Sequence, residues 1–545
     1  MPEGEEPNLE QESGSGSALS AEEIEFLRDK VTRVEKTARG HDFSVANKAI
    51  SEANWLFDHP ELGMQEERSS QFLARRLSSI LGKENVGEVG GGVYGILEGN
   101  QENGATIFIR ADMDALITPE GKPAHMCGHN IHMAWLLENA RLLSAYKEHF
   151  AATPFKRIVF IGEPNEEGVA SPAFGPQEML KAGLIEKTGR PDFILGAHFA
   201  APQIEGQVRI DEGTATYSDG RFYYSFIPQD ENQDVRMLEY EFIYQVGKNW
   251  GSEDSQADLG RLLIVDDCRS RIPETLVRVT DSKIATDERR LQPNVLTPSE
   301  EVELHFSGVP PVEEIKKEIE SIKSNWEGVE IEPTFDNQSL RIKIGSRGGH
   351  VSQGGPNVKF IMAELIHNLK DKYDFSIKDG NKLVELTGSL RTGAKDWQNK
   401  GMEIGMRLQE IAHGVVSEAH ARVEVKGDTP KIDNPPTYND DNLRQAALSV
   451  LQRAGLSITN AGIPMAPAET FAFWETELNI PGLYITIGGG DKGELERIKT
   501  QKLAVPSKYL HHTPGVLDLV RANRAIPYGA AISLIALELG KKFSK

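Results

Sequence analysis

Residues 110–132 read RADMDALITPEGKPAHMCGHNIH. His125, Cys127, His129 and His132 stand close together in this stretch, and the carboxylate pair Asp112 and Asp114 opens it. Imidazole and thiolate suit zinc-like ions, while carboxylates bridge or orient, so one segment can supply much of a one- or two-metal centre. Isolated histidines are usually structural, but dense Cys/His/Asp clusters rarely are. The apolar run 106–110 predicts a strand, which sets the two aspartates just past a strand end. Open α/β sheets place their ligands there. The run 131–145 predicts a helix packing behind the site.

The pattern of a buried strand leading into ligand-type residues recurs along the chain. The run 155–161 (FKRIVFI) leads into Gly162-Glu163-Pro164-Asn165-Glu166-Glu167-Gly168. Adjacent carboxylates at a strand end are costly without a cation, and a metal ion would leave one glutamate as ligand and the other as base. The run 193–199 (FILGAHF) carries His198, which the recurrence favours as a ligand over a core histidine. Four more segments stand out: Ser346-Arg347-Gly348-Gly349-His350, Gly388-Ser389-Leu390-Arg391-Thr392, Ala468-Glu469-Thr470-Phe471 and His511-His512-Thr513-Pro514.

At 545 residues the chain exceeds what one core serves, so two folded units are expected. With 39% hydrophobic and 26% charged residues it reads as an ordinary globular protein. No apolar run reaches the ~18–20 residues that span a bilayer, and the first residues, MPEGEEPNLEQESGSGSALS, lack a basic region and an apolar core. A cytoplasmic location is the expectation. A reducing compartment would also keep Cys127 free to ligate metal; the other cysteine is Cys268. The net charge of −22 repels nucleic-acid phosphates and anionic membranes, so neither is an expected partner. Residues 1–20 read as a disordered acidic tail and 21–210 as the first part of a metal-binding domain. From 211 to about 280 the sequence is charged and less periodic. Strands at 276–279, 302–306 and 340–344, with helices at 312–324, 358–369 and 396–420, imply an inserted α+β unit over 211–429. The first domain's style returns over 430–545.

Ten pieces recur in one order across about 50–520: FDHPELGMQEERSS, RADMDAL, HMCGH, the Glu-Glu-Gly of EPNEEG, the His of GAHFAAP, the GGH of SRGGH, GSLRT, AETF, PGLYITIGGG and the H-x-P of HHTP. Together they resemble the dinuclear-metal amidohydrolase and exopeptidase family of the aminoacylase and carboxypeptidase type, in particular its indole-acetyl-amino-acid, hippurate and aminobenzoyl-glutamate hydrolase branch. The resemblance implies an α/β fold, with a mixed-sheet catalytic domain flanked by helices and an inserted α+β, ferredoxin-like lid that dimerises. It implies Cys127, His129, Glu167, His198 and His512 as ligands of two divalent ions, zinc first, manganese or cobalt otherwise. Glu166 becomes the general base, Asp114 the orienting carboxylate and His350 an oxyanion donor reaching a neighbouring active site in a homodimer. Arg391 becomes the clamp for a substrate carboxylate, and Asn294 a substrate-facing residue.

The chain departs from that pattern in several places. Asn130 stands where the family has aspartate, and Glu163-Pro164-Asn165 replaces Gln-Pro-Ala; both bear on metal charge and its support. The region 211–345 is long, and Pro293-Asn294-Val295 precedes the GGH. His512 is chosen over His511 on its H-x-P spacing alone. The expected activity is hydrolysis of the amide bond of small-molecule N-acyl or N-aroyl amino acids or dipeptide-like compounds. The alternatives are a catalytically silent binding protein on the same fold, or a dipeptidase or carboxypeptidase.

Overall fold

Four apolar strands pair in parallel at the centre of the larger sheet, in the order Gly482–Gly490, Phe193–Ile204, Ala105–Asp112 and Phe155–Glu163. This computed structural model describes residues 18–33, 35–36, 42–168, 173–230, 233–250, 266, 275–284, 295–296, 299–326, 329–346, 349–350, 357–428, 430–461 and 467–543. Gly92–Glu98 and Val86–Val89 extend the sheet antiparallel on one side. Thr437–Asn439 and Gly213–Thr216 extend it on the other, and Gln207–Arg209 with Ser457–Ile458 bring it to ten strands.

Every residue of Ala105–Asp112 is buried, as expected of a strand covered on both faces. Strand period sorts the side chains. Ile107, Ile109, Ile158, Phe160 and Leu195 join the main core, with helices Val45–Phe57, Glu67–Leu81, His129–His149, Asp441–Arg453 and Ala530–Phe543. Phe108, Val159, Ile161 and Ile194 face the other way, onto Phe471 and Trp474 of helix Phe471–Leu478. Each such large side chain contributes about 1.5–3 kcal/mol on burial. The mixed-sheet architecture with flanking helices is the one the sequence predicts.

The expected tail over 1–20 needs a correction at its end. Leu19 is buried and its N–H donates to Glu538 (2.8 Å), while Ser20 caps helix Ala21–Thr32 in a capping box with Glu23. The remaining tail positions, 1–17, lie outside the described residues.

The second correction concerns 211–280, which is richer in regular structure than its charge suggests. Strand Asp219–Pro228 and helix Val235–Trp250 form there and bury Phe222, Tyr224, Phe226, Tyr240 and Phe242. Asp219–Pro228, Val384–Thr392, Thr275–Ile284, Val423–Gly427 and Lys431–Asn434 make an antiparallel five-stranded sheet. A second antiparallel sheet joins Glu330–Asp336, Ser339–Gly345, Ser299–Phe306 and Phe375–Ile377, next to helix Val312–Asn325. Helix Val358–Lys370 packs against elements of both sheets, and one apolar core spans them. The described residues of the insertion thus form a second sheet beside the first.

A buried polar network ties this added sheet to the rest of the unit. Lys359 Nζ meets Glu300 Oε2 at 2.6 Å and donates to Ser282 Oγ at 2.7 Å. Tyr240 donates to Glu300 Oε1 at 2.6 Å, and Arg236 pairs with Glu239 at 2.7 Å. Burial works against ionised Glu300, but Lys359 and Arg236 outweigh it and hold the carboxyl below the usual range. That contribution is complete above the unfolded carboxyl range and fades as pH falls through the depressed folded value. Lys359→Met would strand Glu300 and should cost about 3–5 kcal/mol in urea unfolding of the full chain. Adding Glu300→Gln should recover most of the loss; no recovery would mean that Lys359 acts through packing alone.

Candidate metal centre

The ends of the parallel strands deliver the acidic residues in register. Asp112 pairs with Glu163 as the last residues of adjacent strands, and His198 lies on the next strand beside Thr486. Three sharp turns then aim the remaining groups. Gly128 adopts φ 90° between Cys127 and the helix that begins at His129, and a Cβ there would meet Phe199 at 2.9 Å. Asn165 at φ 50° sends Glu166 and Glu167 back over the strand ends. His512 itself sits at φ 63°, and its N–H donates to Met126 O at 3.1 Å, which sets it beside Cys127.

These turns bring all five expected ligands together. Cys127, His129 and His198 present ligand atoms within 4.8 Å of one another, and so do Cys127, Glu167 and His512. Cys127 Sγ is 3.2 Å from His198 Nε2; Glu167 Oε1 is 3.4 Å from His512 Nε2 and 3.8 Å from His129 Nε2. The outward ring nitrogens are fixed from behind. His129 Nδ1 donates to Asp114 O (2.9 Å) and Oδ1 (3.2 Å), and His198 Nδ1 donates to Phe199 O (2.6 Å). Asp114 Oδ2 also accepts the Glu167 N–H at 3.0 Å. Asp114 thus orients two ligands at once.

His132 and His511 are hydrogen-bonded elsewhere. His132 has both nitrogens engaged, Nδ1 with Asp112 Oδ1 at 2.6 Å and Nε2 accepting from Phe199 N–H at 2.8 Å. His511 Nε2 accepts from Ala201 N–H at 3.3 Å, so His512 is the one that faces Glu167.

Electrostatics favour a cation at this point. His129 Nε2 and Glu167 Oε1 are buried with no hydrogen-bond partner, although they converge. Burial and the neighbouring Asp114 and Glu469 push Glu167 up to about 8 against the pull of His129. Burial, with Glu167 and Glu166 nearby, also pushes the Cys127 thiol up. His512 is lowered to about 4 by burial, by His129 and by Arg391, leaving it the neutral imidazole that ligation needs. Thiol, imidazole and carboxylate together form a donor set that fits a zinc-like ion, and a positive charge would reverse these penalties.

The remaining sequence candidates divide in two. Glu166 lies in the cluster with His129 and Glu167, its Oε1 accepting the Thr470 N–H at 3.1 Å. Arg391 is buried on strand Val384–Thr392, near enough for its charge to be felt at His512. Gly349–His350 forms a short strand paired with Val295–Leu296; the His350 side chain and Asn294 lie outside the described residues.

The sequence reading assigned no role to Arg110 or Glu469, and both matter. Arg110 donates Nε and Nη2 to Glu163 (2.7 and 2.9 Å) and Nη1 to Asp112 (2.7 Å), with Glu469 at 3.4 Å. Glu163 also accepts from Trp474 Nε1 at 2.7 Å and from the Thr470 hydroxyl. The unusual Glu163 is therefore a partner of Arg110, not a ligand. Glu469 Oε1 lies 3.7 Å from His198 Nε2, at the edge of the cluster. The adjacent acid in AETF was the available signal. Arg110→Met leaves three acids without their cation and should cost about 3–5 kcal/mol. Arg110→Lys should recover little of it, because an ammonium cannot fork across Glu163. Denaturation midpoints read both; a loss below about 1 kcal/mol would place the counter-charge elsewhere.

Comparison with known proteins finds relatives in sequence and in fold. The chain is 30% identical over 193 residues to an N-acyl-L-amino acid amidohydrolase of Geobacillus stearothermophilus, covering 34% of this chain and 49% of that protein. It is 30% identical over 179 residues to the IAA-amino acid hydrolase ILR1-like 5 of Arabidopsis thaliana, covering 31% and 38%. The matches thus span half or less of these curated relatives. The Bacillus subtilis YxeP protein, described as a dinuclear metal binding peptidase, shares the fold at TM-score 0.52 and 17% identity, over 91% of this chain and 98% of that one. Residues 108–513, which hold most of the large sheet and the whole insertion, match the family model described as Peptidase family M20/M25/M40, and the chain belongs to that family.

Proposed function

We propose that this chain is a metal-dependent amidohydrolase that releases an amino acid from an N-acyl or N-aroyl amino acid or a small dipeptide-like compound. The observation that carries this reading is the convergence of Cys127, His129, Glu167, His198 and His512, with Glu166 in the same cluster. The names of the two curated relatives agree with the reaction class.

When bound, a divalent pair supplies Lewis acidity, polarising the amide carbonyl and making the attacking water more acidic. The five convergent residues would hold it, zinc first, with manganese or cobalt accepted by the same donor types. Glu166 takes the proton of the attacking water and returns it to the departing amine nitrogen. Thr470 N–H holds one oxygen of that carboxylate, and burial beside Glu469 and Glu167 raises its pKa, which suits a group that carries a proton during turnover. Asp114 keeps the His129 ring and the Glu167 backbone aligned. Arg391 receives the substrate carboxylate in its guanidinium fork. His350 of a second copy, in a homodimer, supplies a donor to the carbonyl oxygen. A reducing cytoplasm keeps Cys127 available as a ligand.

The test is amino-acid release from a panel of N-acyl amino acids and dipeptides. Glu166→Gln should lower kcat by about 10²–10⁴-fold with little change in KM. Chelator-stripped protein should release nothing and recover on adding zinc or manganese. Release that survives both treatments would sink the mechanism. Folded, metal-loaded protein that hydrolyses no panel member would favour the silent binding protein.

A further inference from the structure

The five-stranded sheet of the inserted unit turns one face, with Phe222, Phe226, Val277, Val279, Leu386 and Leu390, into the core. Its other face is charged. Ser389 stands opposite Arg278 on one neighbouring strand and opposite Arg221 on the other, and directly opposed side chains share a face. Arg391, two residues beyond Ser389, shares that face as well. Arg391 Nη2 meets Asp219 Oδ1 at 3.2 Å, and Arg221 Nη2 lies 3.6 Å from Asp219 Oδ2. One aspartate thus serves two of the three guanidiniums.

Arg278 has no such partner among the described residues. It is 3% exposed, its Nε and Nη1 are buried without a hydrogen bond, and burial alone lowers it to about 10. Ser389 Oγ and Arg391 Nε, beside it, are likewise buried and unsatisfied. Unpaired donors on a fixed charge are costly to leave dry, and an anion seated between them removes that cost. Diagonal positions on neighbouring strands are about 7–8 Å apart, a span suited to two carboxylates on one small molecule.

We infer that Arg278 and Ser389 form an anion subsite beside Arg391 that takes a second carboxylate of the substrate, so that N-acyl derivatives of dicarboxylic amino acids are preferred. This rests on the amidohydrolase reading, in which Arg391 holds the first carboxylate near the metal centre.

The experiment compares kcat/KM of the metal-loaded full chain for N-acetyl-L-glutamate and N-acetyl-L-aspartate against the isosteric N-acetyl-L-glutamine and N-acetyl-L-asparagine. At least one acid should be favoured by about 30-fold or more, mainly through KM, and Arg278→Met should shrink that ratio to about 3-fold or less. Arg278→Lys should keep part of the preference, since it keeps the charge and loses the fork. Independently of turnover, glutarate should raise the thermal midpoint of the wild type more than that of Arg278→Met. Removing an unpaired buried charge should leave Arg278→Met at least as stable as the wild type. Equal rates for acids and amides, or a ratio indifferent to Arg278, would overturn the subsite while leaving the hydrolase intact. Arg278-dependent shifts with inorganic phosphate and a flat acid-to-amide ratio would assign the site to a free anion and overturn the substrate claim. If no panel member is hydrolysed but glutarate binding depends on Arg278, the hydrolase reading fails and the anion site stands.

Discussion

Among the described residues, Arg110 is the one guanidinium in contact with the acids packed at the ends of the central strands, and the floor of the site depends on it. It holds Asp112, Glu163 and Glu469, which come from two adjacent strands and a distant helix entry. Burial works against the charged guanidinium, but Glu163, Asp112 and Glu469 outweigh it and keep Arg110 protonated. Outside its direct contacts, Asp114, Glu166 and Glu167 crowd the same volume, and Glu66 nearby is pushed up to about 8 by burial and by Asp114. Coulomb repulsion in a dry interior leaves two outcomes: acids that take up protons, or a cation that stands between them. The need for a positive charge is thus a folding constraint before it is a catalytic one.

That constraint explains why so many local irregularities collect here. Gly128, Asn165 and His512 all adopt left-handed backbone within this small region. Along the central strands, alternating residues are sorted between two apolar layers. Regular strands bring the chain to the site, and only turns of this kind fold side chains from four segments back onto one point. Asn165 is held in place by its N–H on Glu66 Oε1 (2.8 Å), so even the turn is anchored to the acidic cluster.

What the sequence made legible follows the same division. Glu166, Glu167 and His198 were readable as candidates because they follow or lie in strongly apolar runs, whereas Cys127, His129 and His512 stood out by the Cys/His cluster and the motif resemblance. The choice of His512 over His511, argued only from spacing, agrees with the hydrogen bond that occupies His511. Glu469 was not legible as a neighbour of His198, because nothing local marks a contact between positions so far apart in the chain. Strand Asp219–Pro228 and helix Val235–Trp250 were hidden for a different reason: their aromatic residues alternate with charged ones that are themselves satisfied in the interior, as Arg236 and Glu239 are. A buried ion pair reads as surface in sequence.

The two halves of the molecule meet with opposite electrostatic character. The chain carries a net charge of −22, so an anionic substrate approaches against the long-range field. Screening shortens that field to about 8 Å at physiological ionic strength, and beyond a Debye length it matters little. At close range the balance inverts, because Arg221, Arg278, Arg391 and Lys283 outnumber Asp219, Asp281 and Glu385 on one sheet face. Under the proposed reading, a molecule with its carboxylates on this face and its amide at the metal centre would satisfy both sides at once. The acids would repel its charge and the arginines would hold it, so the opposition of charge would orient the scissile bond.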